Sequence, residues 1–332
     1  MAHNIEIRNG QASMFYVDEP PWHGLGKRLE SPATAEEAIR AANLDWKVMK
    51  VHLYAKQGKT RLCVEGKYGI VRKDLWGKNE CTVLGVVGKQ YTPLQNTNAF
   101  KFFDPIVGEG AAIYHTAGVL GKGERIWILA KLPEDIRVVG DDIVNKFLLL
   151  SNSHDGTSAV QVKFTPIRVV CQNTLTMALR QGSTIRAFHL RNMPARLRQA
   201  ENLLGIVRTR FDNIEKTFKA MITMKIDKDR LSDYLRSVFP DPLDPENEKA
   251  AETAQRNRLL AEYFFDQGAG NRAAGIAGTL WAAYNGVTEM IDHRKRRQTG
   301  ERRLNSIWFG DSCSIKVRAF NMANEKIGAW RN

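Results

Sequence analysis

Basic and aromatic side chains alternate through residues 46–73, and this combination suits a polyanionic partner. Eight cations are spread over the stretch: Lys47, Lys50, Lys56, Lys59, Arg61, Lys67, Arg72 and Lys73. Three aromatic residues lie among them: Trp46, Tyr54 and Tyr68. Cations neutralise phosphates along a nucleic-acid backbone, and aromatic rings stack on bases without reading their sequence. The stretch therefore predicts contacts to a single strand, although Trp46 also fits core packing.

A second basic group follows in the middle of the chain. Its members are Lys163, Arg168, Arg180, Arg186 and Arg191. Residues 151–200 hold seven Lys and Arg against one acid, and residues 51–100 hold eight against three. The formal charge is +13 and the isoelectric point is near 9.6, and nearly all of this positive charge lies in these two segments and in the C-terminal part of the chain. This favours a polyanion, nucleic acid before membrane; the alternative is a surface that is basic only for solubility.

Motifs with enzymatic chemistry are weaker. Gly118–Gly123 is rich in glycine but lacks the Gly-Lys-Ser/Thr ending of a phosphate loop. Ser153, His154 and Asp155 are adjacent, whereas a catalytic triad is assembled in space from separate elements. The seven histidines show no HxxxH or HxH spacing, and Asp141-Asp142 is a lone acidic pair. We predict no catalytic residue, no metal and no cofactor.

Cysteine spacing and hydropathy indicate the compartment. Cys63, Cys81, Cys171 and Cys313 are far apart and form no CxxC pair, which favours reduced thiols. The first residues show no basic-then-apolar leader, and no apolar run approaches the roughly 20 residues of a bilayer span. We expect a cytoplasmic protein without a membrane partner.

The elements that must position these residues are short strands and few helices before residue 190. Residues 1–30 are predicted as an irregular arm, and Ser31 as the N-cap of a helix that continues to Ala42. Residues 46–54 and 61–65 predict a hairpin around a turn at 57–60. Further short strands, the first over 68–72, and a helix over 99–103 follow. The pattern predicts an α+β fold with a mainly antiparallel, hairpinned sheet and packed helices, followed by a mostly helical C-terminal region.

The segment 147–182 closes the predicted sheet domain. Phe147 begins an apolar strand, Asp155-Gly156 supplies a tight turn, and residues 160–164 alternate between apolar and polar. Asn173 or Thr174 is predicted to cap a helix that ends at Gly182.

Beyond residue 190 the periodicity becomes helical. Apolar residues recur at three- and four-residue spacing through 196–220, and helices are also predicted over 229–238, 250–265 and 278–297. Prolines 240, 242 and 245 mark a hinge. We therefore expect an arm over 1–30, a sheet domain with a basic face over 31–190, and a helical region over 191–332 with a hinge near 240–248.

Four motifs resemble a known family. They are PPWHGLG (20–26), TPIRVVCQNTL (165–175), GTLWAAYNGVTEMIDHR (278–294) and SIWFG (306–310). Together they are similar to the phage/plasmid-like family catalogued as domain of unknown function 932, and the resemblance runs through most of the chain. It implies an origin on phages or plasmids and no agreed activity.

The order of elements also resembles another group. A helix, a hairpin, several antiparallel strands and a following helix are similar to the core of single-strand annealing recombinases of the Redβ, RecT and Rad-fifty-two type. That resemblance implies ATP-independent binding and annealing of single strands in a basic groove, by rings or filaments. It implies a homo-oligomer, with single-stranded DNA as the partner and RNA as the alternative.

Three hypotheses follow from the sequence. The first is an ATP-independent single-stranded nucleic-acid-binding and strand-annealing protein that acts in recombination or replication. The second is a host-interaction or anti-defence protein, whose basic face contacts a protein. The third is a nucleic-acid-processing enzyme, which the missing acidic cluster disfavours.

Overall fold

A computed structural model describes residues 5–17, 25–108, 112–158, 160–168, 173–174, 185–186, 205, 209, 211–294, 306 and 310–330. The chain divides into two compact units that are interleaved in sequence. Unit 1 comprises Met1–Pro133, Leu148–Lys163 and Gly182–Gly205, and unit 2 comprises Glu134–Phe147, Phe164–Gln181 and Ile206–Asn332. The predicted domain boundary near residue 190 lies outside the described residues.

The secondary structure consists of short strands and of helices concentrated late in the chain. The strands are β1 (Ile7–Arg8), β2 (Gln11–Ala12), β3 (Met14–Val17), β4 (Lys27–Leu29), β5 (Val48–Gln57), β6 (Thr60–Arg72), β7 (Gly85–Gly88), β8 (Ile113–Leu120), β9 (Arg125–Lys131), β10 (Ile136–Val139), β11 (Asp142–Asn145), β12 (Phe147–Ser153), β13 (Gln161–Phe164), β14 (Ile167–Arg168), β15 (Asn173–Thr174) and β16 (Ile185–Arg186). The helices are α1 (Ala35–Ala41), α2 (Asn96–Gly108), α3 (211–223), α4 (Lys228–Val238), α5 (Glu248–Gln267), α6 (Leu280–Glu289) and α7 (Asp311–Ala329). The predicted α+β class is confirmed.

The largest sheet has the strand order β16-β13-β12-β9-β8-β3-β4. Its centre is the β8–β9 hairpin, where Trp127 and Ile128 are buried because successive side chains pack on both faces. Strand β3 adds to β8 in an antiparallel register, and its Phe15 is fully buried. The prediction of an irregular arm over residues 1–30 is therefore corrected: β3 and β4 belong to this sheet, and β1 pairs with β2.

Helix α1 begins at a capping box. The Thr34 hydroxyl accepts a hydrogen bond from the Glu37 amide, and the Glu37 carboxylate accepts one from the Thr34 amide at 2.9 Å. These reciprocal bonds satisfy amides that the first turn leaves unpaired. The predicted cap at Ser31 was therefore three residues too early, because Thr34 has the glutamate partner at the required spacing.

The β5–β6 hairpin is longer than the sequence predicts. Two predicted strands, 61–65 and 68–72, are one strand, because a bulge absorbs the break around Gly66, whose φ is +70°. The register runs from Val48 opposite Arg72 to His52 opposite Tyr68 and resumes with Tyr54 opposite Cys63, so β6 carries extra residues. Bulges of this kind increase the twist of a ribbon and redirect its distal end.

Unit 2 combines a sheet of order β10-β11-β14-β15 with a helical bundle. The Trp281 indole on α6 donates a hydrogen bond to the buried Asp142 carboxylate on β11 at 2.7 Å. Phe218 on α3 packs against Trp281, with ring centroids 4.5 Å apart. The predicted helix cap at Asn173-Thr174 is corrected: both residues form β15, which pairs with β14, and residues 175–184 lie outside the described part.

A buried ion pair joins two elements of the same bundle. Helix α6 continues into a π-helical turn, Met290–Arg294, which carries Asp292. The Lys316 ammonium on α7 lies 2.9 Å from the Asp292 carboxylate, and both side chains are almost fully buried.

The predicted hinge prolines lie between α4 and α5. In the part of the chain that is described, no helix is both long and apolar enough to cross a bilayer.

The Trp281–Asp142 hydrogen bond gives a stability prediction. Replacing Trp281 with Phe removes the donor and leaves the buried carboxylate less satisfied, so the free energy of unfolding should fall by about 2 kcal/mol in urea titrations. Trp76→Phe is the matched control, because Trp76 is 56% exposed and its change should cost less than about 0.5 kcal/mol. Equal effects of the two substitutions would contradict the assigned role of the indole N–H.

Candidate nucleic-acid interface

The distal part of the β5–β6 hairpin, residues 54–67, is exposed throughout; we call it the arm. It carries Lys56, Lys59, Arg61 and Lys67 against the single acid Glu65. Residues opposite each other in a hairpin have side chains on the same face, and Lys56 lies opposite Arg61. Like charges in this arrangement repel, so the arm is electrostatically unfavourable by itself and suits an anion that neutralises it.

An exposed aromatic ring lies within this group of cations. Tyr54 is 51% exposed, and the Arg61 guanidinium lies 4.9 Å from the centre of its ring. A guanidinium over an aromatic face is a favourable contact that also holds the ring in place. Tyr54 is thus a predicted stacking residue that the structure leaves accessible.

The base of the same hairpin is buried and has a different role. Arg72 is 1% exposed: its guanidinium forms ion pairs with Glu6 and Asp74 and lies 4.2 Å from the centre of the Trp46 ring. Arg72 also donates to the Lys122 carbonyl at 3.3 Å. The predicted phosphate contact at Arg72 is therefore corrected, because its donors are used inside the protein.

The Asp74 carboxylate beside Arg72 is held in its ionised form. Burial alone would raise the pKa of Asp74, but the hydrogen bonds and charges of Arg72 and Arg8 outweigh it and hold that pKa below its usual range. Arg8 lies 2.7 Å from Asp74, so two guanidinium groups share one carboxylate. This network fixes the hairpin base to the N-terminal strands of unit 1.

The other two predicted stacking residues, Trp46 and Tyr68, are less exposed than Tyr54. Trp46 is 4% exposed between the Arg72 guanidinium and the His154 ring, which corrects its predicted role in stacking. Tyr68 is half-buried, with the Lys50 ammonium 4.5 Å from its ring centre. Lys50 also donates to the carbonyls of Lys89 and Tyr91. Lys50 and Tyr68 therefore stabilise the sheet from its packed side.

Lys47 and Lys73 remain exposed at the start of the hairpin. The Lys73 amide donates to the Lys47 carbonyl at 2.7 Å, which continues the register of β5 and β6 by one pair. Lys73 then begins a 3₁₀ turn, Lys73–Leu75, so the alternation of β6 ends at Arg72. The structure therefore brings six of the eight predicted cations of this stretch to exposed positions: Lys47, Lys56, Lys59, Arg61, Lys67 and Lys73.

The second predicted cluster is not brought onto one sheet. Lys163 and Arg186 belong to β13 and β16 of the seven-stranded sheet, whereas Arg168 belongs to β14 of the four-stranded sheet. Their side chains, and the whole of Arg180 and Arg191, lie outside the described part of the structure. Their predicted contacts to phosphate remain predictions.

The adjacent Ser153, His154 and Asp155 do not form a catalytic triad. Ser153 and Asp155 bond to each other and to Thr157, whereas the His154 ring lies away from them against Asn96, 2.8 Å from Nε2 to Oδ1. Asn96 Nδ2 donates to the carbonyls of Leu44 and Trp46, so its Oδ1 accepts and His154 carries its proton on Nε2. Among the described residues, no three His, Cys, Asp or Glu side chains cluster as a metal site requires.

Sequence reasoning missed an apolar groove beside the arm. It occupies about 530 Å³ and is lined by Val51, Leu53, Tyr54, Arg61, Trp76 and Val83, among others. Trp76 is 56% exposed and Val83 is 47% exposed. The one signal for Trp76 was its position in the polar segment KDLWGKN, where a large aromatic residue is unusual.

Comparison with known proteins identifies the family. The model of the family described as "Domain of unknown function (DUF932)" matches residues 83–308, about two thirds of the chain. The chain belongs to this family. Neither the curated proteins nor the solved structures gave a match. The match begins at Val83, so the arm and Trp76 precede it in sequence.

Arg72 and Lys73 are adjacent cations that should behave in opposite ways. Arg72→Ala leaves Glu6 and Asp74 without their shared partner and should lower the free energy of unfolding by about 3–5 kcal/mol in urea titrations. Lys73→Ala should change it by less than about 0.5 kcal/mol, because Lys73 is exposed. An Arg72→Ala protein as stable as Lys73→Ala would show that the buried network is not what holds the hairpin base.

The buried His154 predicts acid sensitivity. Burial lowers the pKa of His154, Asp155 opposes this change and Arg72 adds to it, so that the pKa falls from 6.5 to about 4. As the pH falls below the pKa of His154 in the unfolded chain, this side chain binds a proton in the unfolded chain but stays neutral in the folded one. The free energy of unfolding should therefore fall by about 3 kcal/mol as the pH drops from 6.5 to about 4.

Chemical denaturation across this pH range measures the effect. His154→Gln should remove that part of the pH dependence, because Gln does not titrate. His52→Gln is the control and should keep it, because His52 is exposed. An unchanged slope in the His154 variant would contradict the assignment.

Proposed function

We propose that the protein is an ATP-independent single-stranded nucleic-acid-binding and strand-annealing protein of a phage or plasmid. Its arm contacts the phosphates of a single strand, and Tyr54 stacks on a base. The observation that carries this proposal is the exposed arm, which carries a surplus of three positive charges and places Lys56 opposite Arg61. An anionic polymer relieves that repulsion along the whole length of the hairpin.

The order of elements supports the annealing part of the proposal. Helix α1, the β5–β6–β7 meander and helix α2 follow in sequence, in the order seen in single-strand annealing recombinases. Annealing requires bases that stay available for pairing while the backbone is held. Cations on a narrow, exposed ribbon bind phosphates and leave most bases of the strand available.

ATP independence has its own support. Gly118–Gly123 forms the end of β8 and the turn into β9, so the glycines connect two strands. A phosphate loop instead connects a strand to a helix, whose N-terminus receives the phosphates. Gly118 lets the Trp127 ring approach, since a Cβ there would lie 3.0 Å from its Cζ2 atom. Packing therefore accounts for this glycine without a nucleotide.

Charge reversal on the arm tests the proposal. Lys56→Glu together with Lys59→Glu should weaken binding to an oligothymidylate about tenfold or more at low salt, and should reduce the slope of log affinity against log salt by about 1.4. Fluorescence anisotropy at several salt concentrations measures both. Lys228→Glu with Lys249→Glu is the matched control, because these exposed lysines of unit 2 carry the same total charge change.

The same proteins separate the other hypotheses. The wild type should anneal complementary oligonucleotides at the same rate with and without ATP, and the arm variant should anneal them slowly. Degraded oligonucleotides would instead indicate a nucleic-acid-processing enzyme. Absence of salt-dependent binding by the wild type would refute the proposal and favour a host protein as the partner of the arm.

A further inference from the structure

The apolar groove beside the arm has a volume that suits a small ligand. Its volume of about 530 Å³ lies within the range of roughly 300–1,000 Å³ that is usual for small-ligand pockets. Its floor is the outer face of the three-stranded sheet around Gly69. A Cβ at Gly69 would lie 3.0 Å from Leu53 Cδ2 and 3.2 Å from Val83 Cγ1, so a side chain there would fill the floor.

Two aromatic rings line this groove and are largely open to solvent. Trp76 is 56% exposed and Tyr54 is 51% exposed. Val86 on β7, which pairs with Gly69, adds another exposed apolar side chain to the same face of the sheet. Exposed apolar side chains that cluster in this way favour a binding site. The groove therefore suits an occupant with a flat, apolar face.

The charge of the groove lining favours a single strand over a second copy of the chain as the occupant. In the described structure the lining includes the Arg61 guanidinium and no carboxylate. Lys47 and Lys73 are exposed at the start of the same hairpin. A second copy bound symmetrically to this groove would present the same cations and no carboxylate from the groove lining to pair with them. A single strand supplies both a flat base for the rings and a phosphate for each cation.

We infer that the groove binds an unstacked nucleobase of the single strand, and that Trp76 is its principal stacking ring. The inference rests on the proposed function, since the arm must hold the backbone for a base to reach the groove. It gives the protein two separable contributions to binding. The arm contributes the salt-dependent part, and the groove contributes a part that depends on the presence of bases.

Two probes distinguish these contributions. One is an oligothymidylate, and the other is an abasic oligonucleotide of the same length. Trp76→Ala should weaken binding of the full-length protein to the oligothymidylate about tenfold, should leave its salt slope unchanged, and should leave the abasic probe unaffected. Trp76→Phe should retain most of the affinity, because a ring is still present. Tyr263→Ala is the control, since Tyr263 is an aromatic residue of α5 that is 58% exposed and lies outside both the arm and the groove.

Tryptophan fluorescence gives a second readout. Oligothymidylate should quench the wild-type emission, and the abasic probe should not. The quenching that is lost in Trp76→Phe reports directly on contact with that ring.

Three results would overturn the inference. If Trp76→Ala binds both probes as the wild type does, while Lys56→Glu with Lys59→Glu still weakens binding, the proposed function stands and the groove does not bind a base. If Trp76→Ala changes the sedimentation of the free protein and leaves the affinity unchanged, the occupant is a second copy. If the wild type binds neither probe, the proposed function fails and the inference fails with it.

Discussion

The Arg72 guanidinium is the contact on which the organisation of unit 1 depends. It joins the end of β6 to Glu6 before β1, to Asp74 in the following turn and to the Lys122 carbonyl between β8 and β9. The same flat group covers the Trp46 ring. Arginine is suited to this position because its planar fork presents five donors while its face stacks on an aromatic ring. A lysine would supply the charge without the fork or the stacking surface.

This anchored base leaves the rest of the hairpin free for binding. Burial ends at Tyr68, and from there to the turn every residue of β6 is exposed. Cations that face each other, such as Lys56 and Arg61, cost stability in an isolated ribbon, and the buried network at the base offsets that cost. Arg72 thus stabilises the fold, whereas the cations of the arm remain available to a partner.

Unit 2 uses the same principle of paired buried charge. Asp142 accepts from the Trp281 indole, and Asp292 pairs with Lys316 inside the bundle. Such groups are costly to bury alone, and their partners come from distant parts of the sequence. They therefore fix how strand β11 and helices α6 and α7 meet. Asp142, Asp292 and Lys316 thus have partners inside the protein. Among the described residues, the arm is the principal exposed group of cations with a clear surplus of positive charge.

The sequence by itself determined the α+β class, the hairpin at 57–60 and most helix positions other than α7, because alternation, turn glycines and helical periodicity are local signals. Local signals also showed where positive charge accumulates. Only the tertiary structure decided which cations are available: Arg72 and Lys73 are adjacent and chemically alike, yet one is buried and the other exposed. The partners that make this difference, Glu6 and Asp74 for Arg72 and the His154 ring for Trp46, approach through folding, and no spacing in the sequence encodes that approach. Trp76 was missed for the same reason, since its groove exists only once β5, β6 and β7 lie side by side.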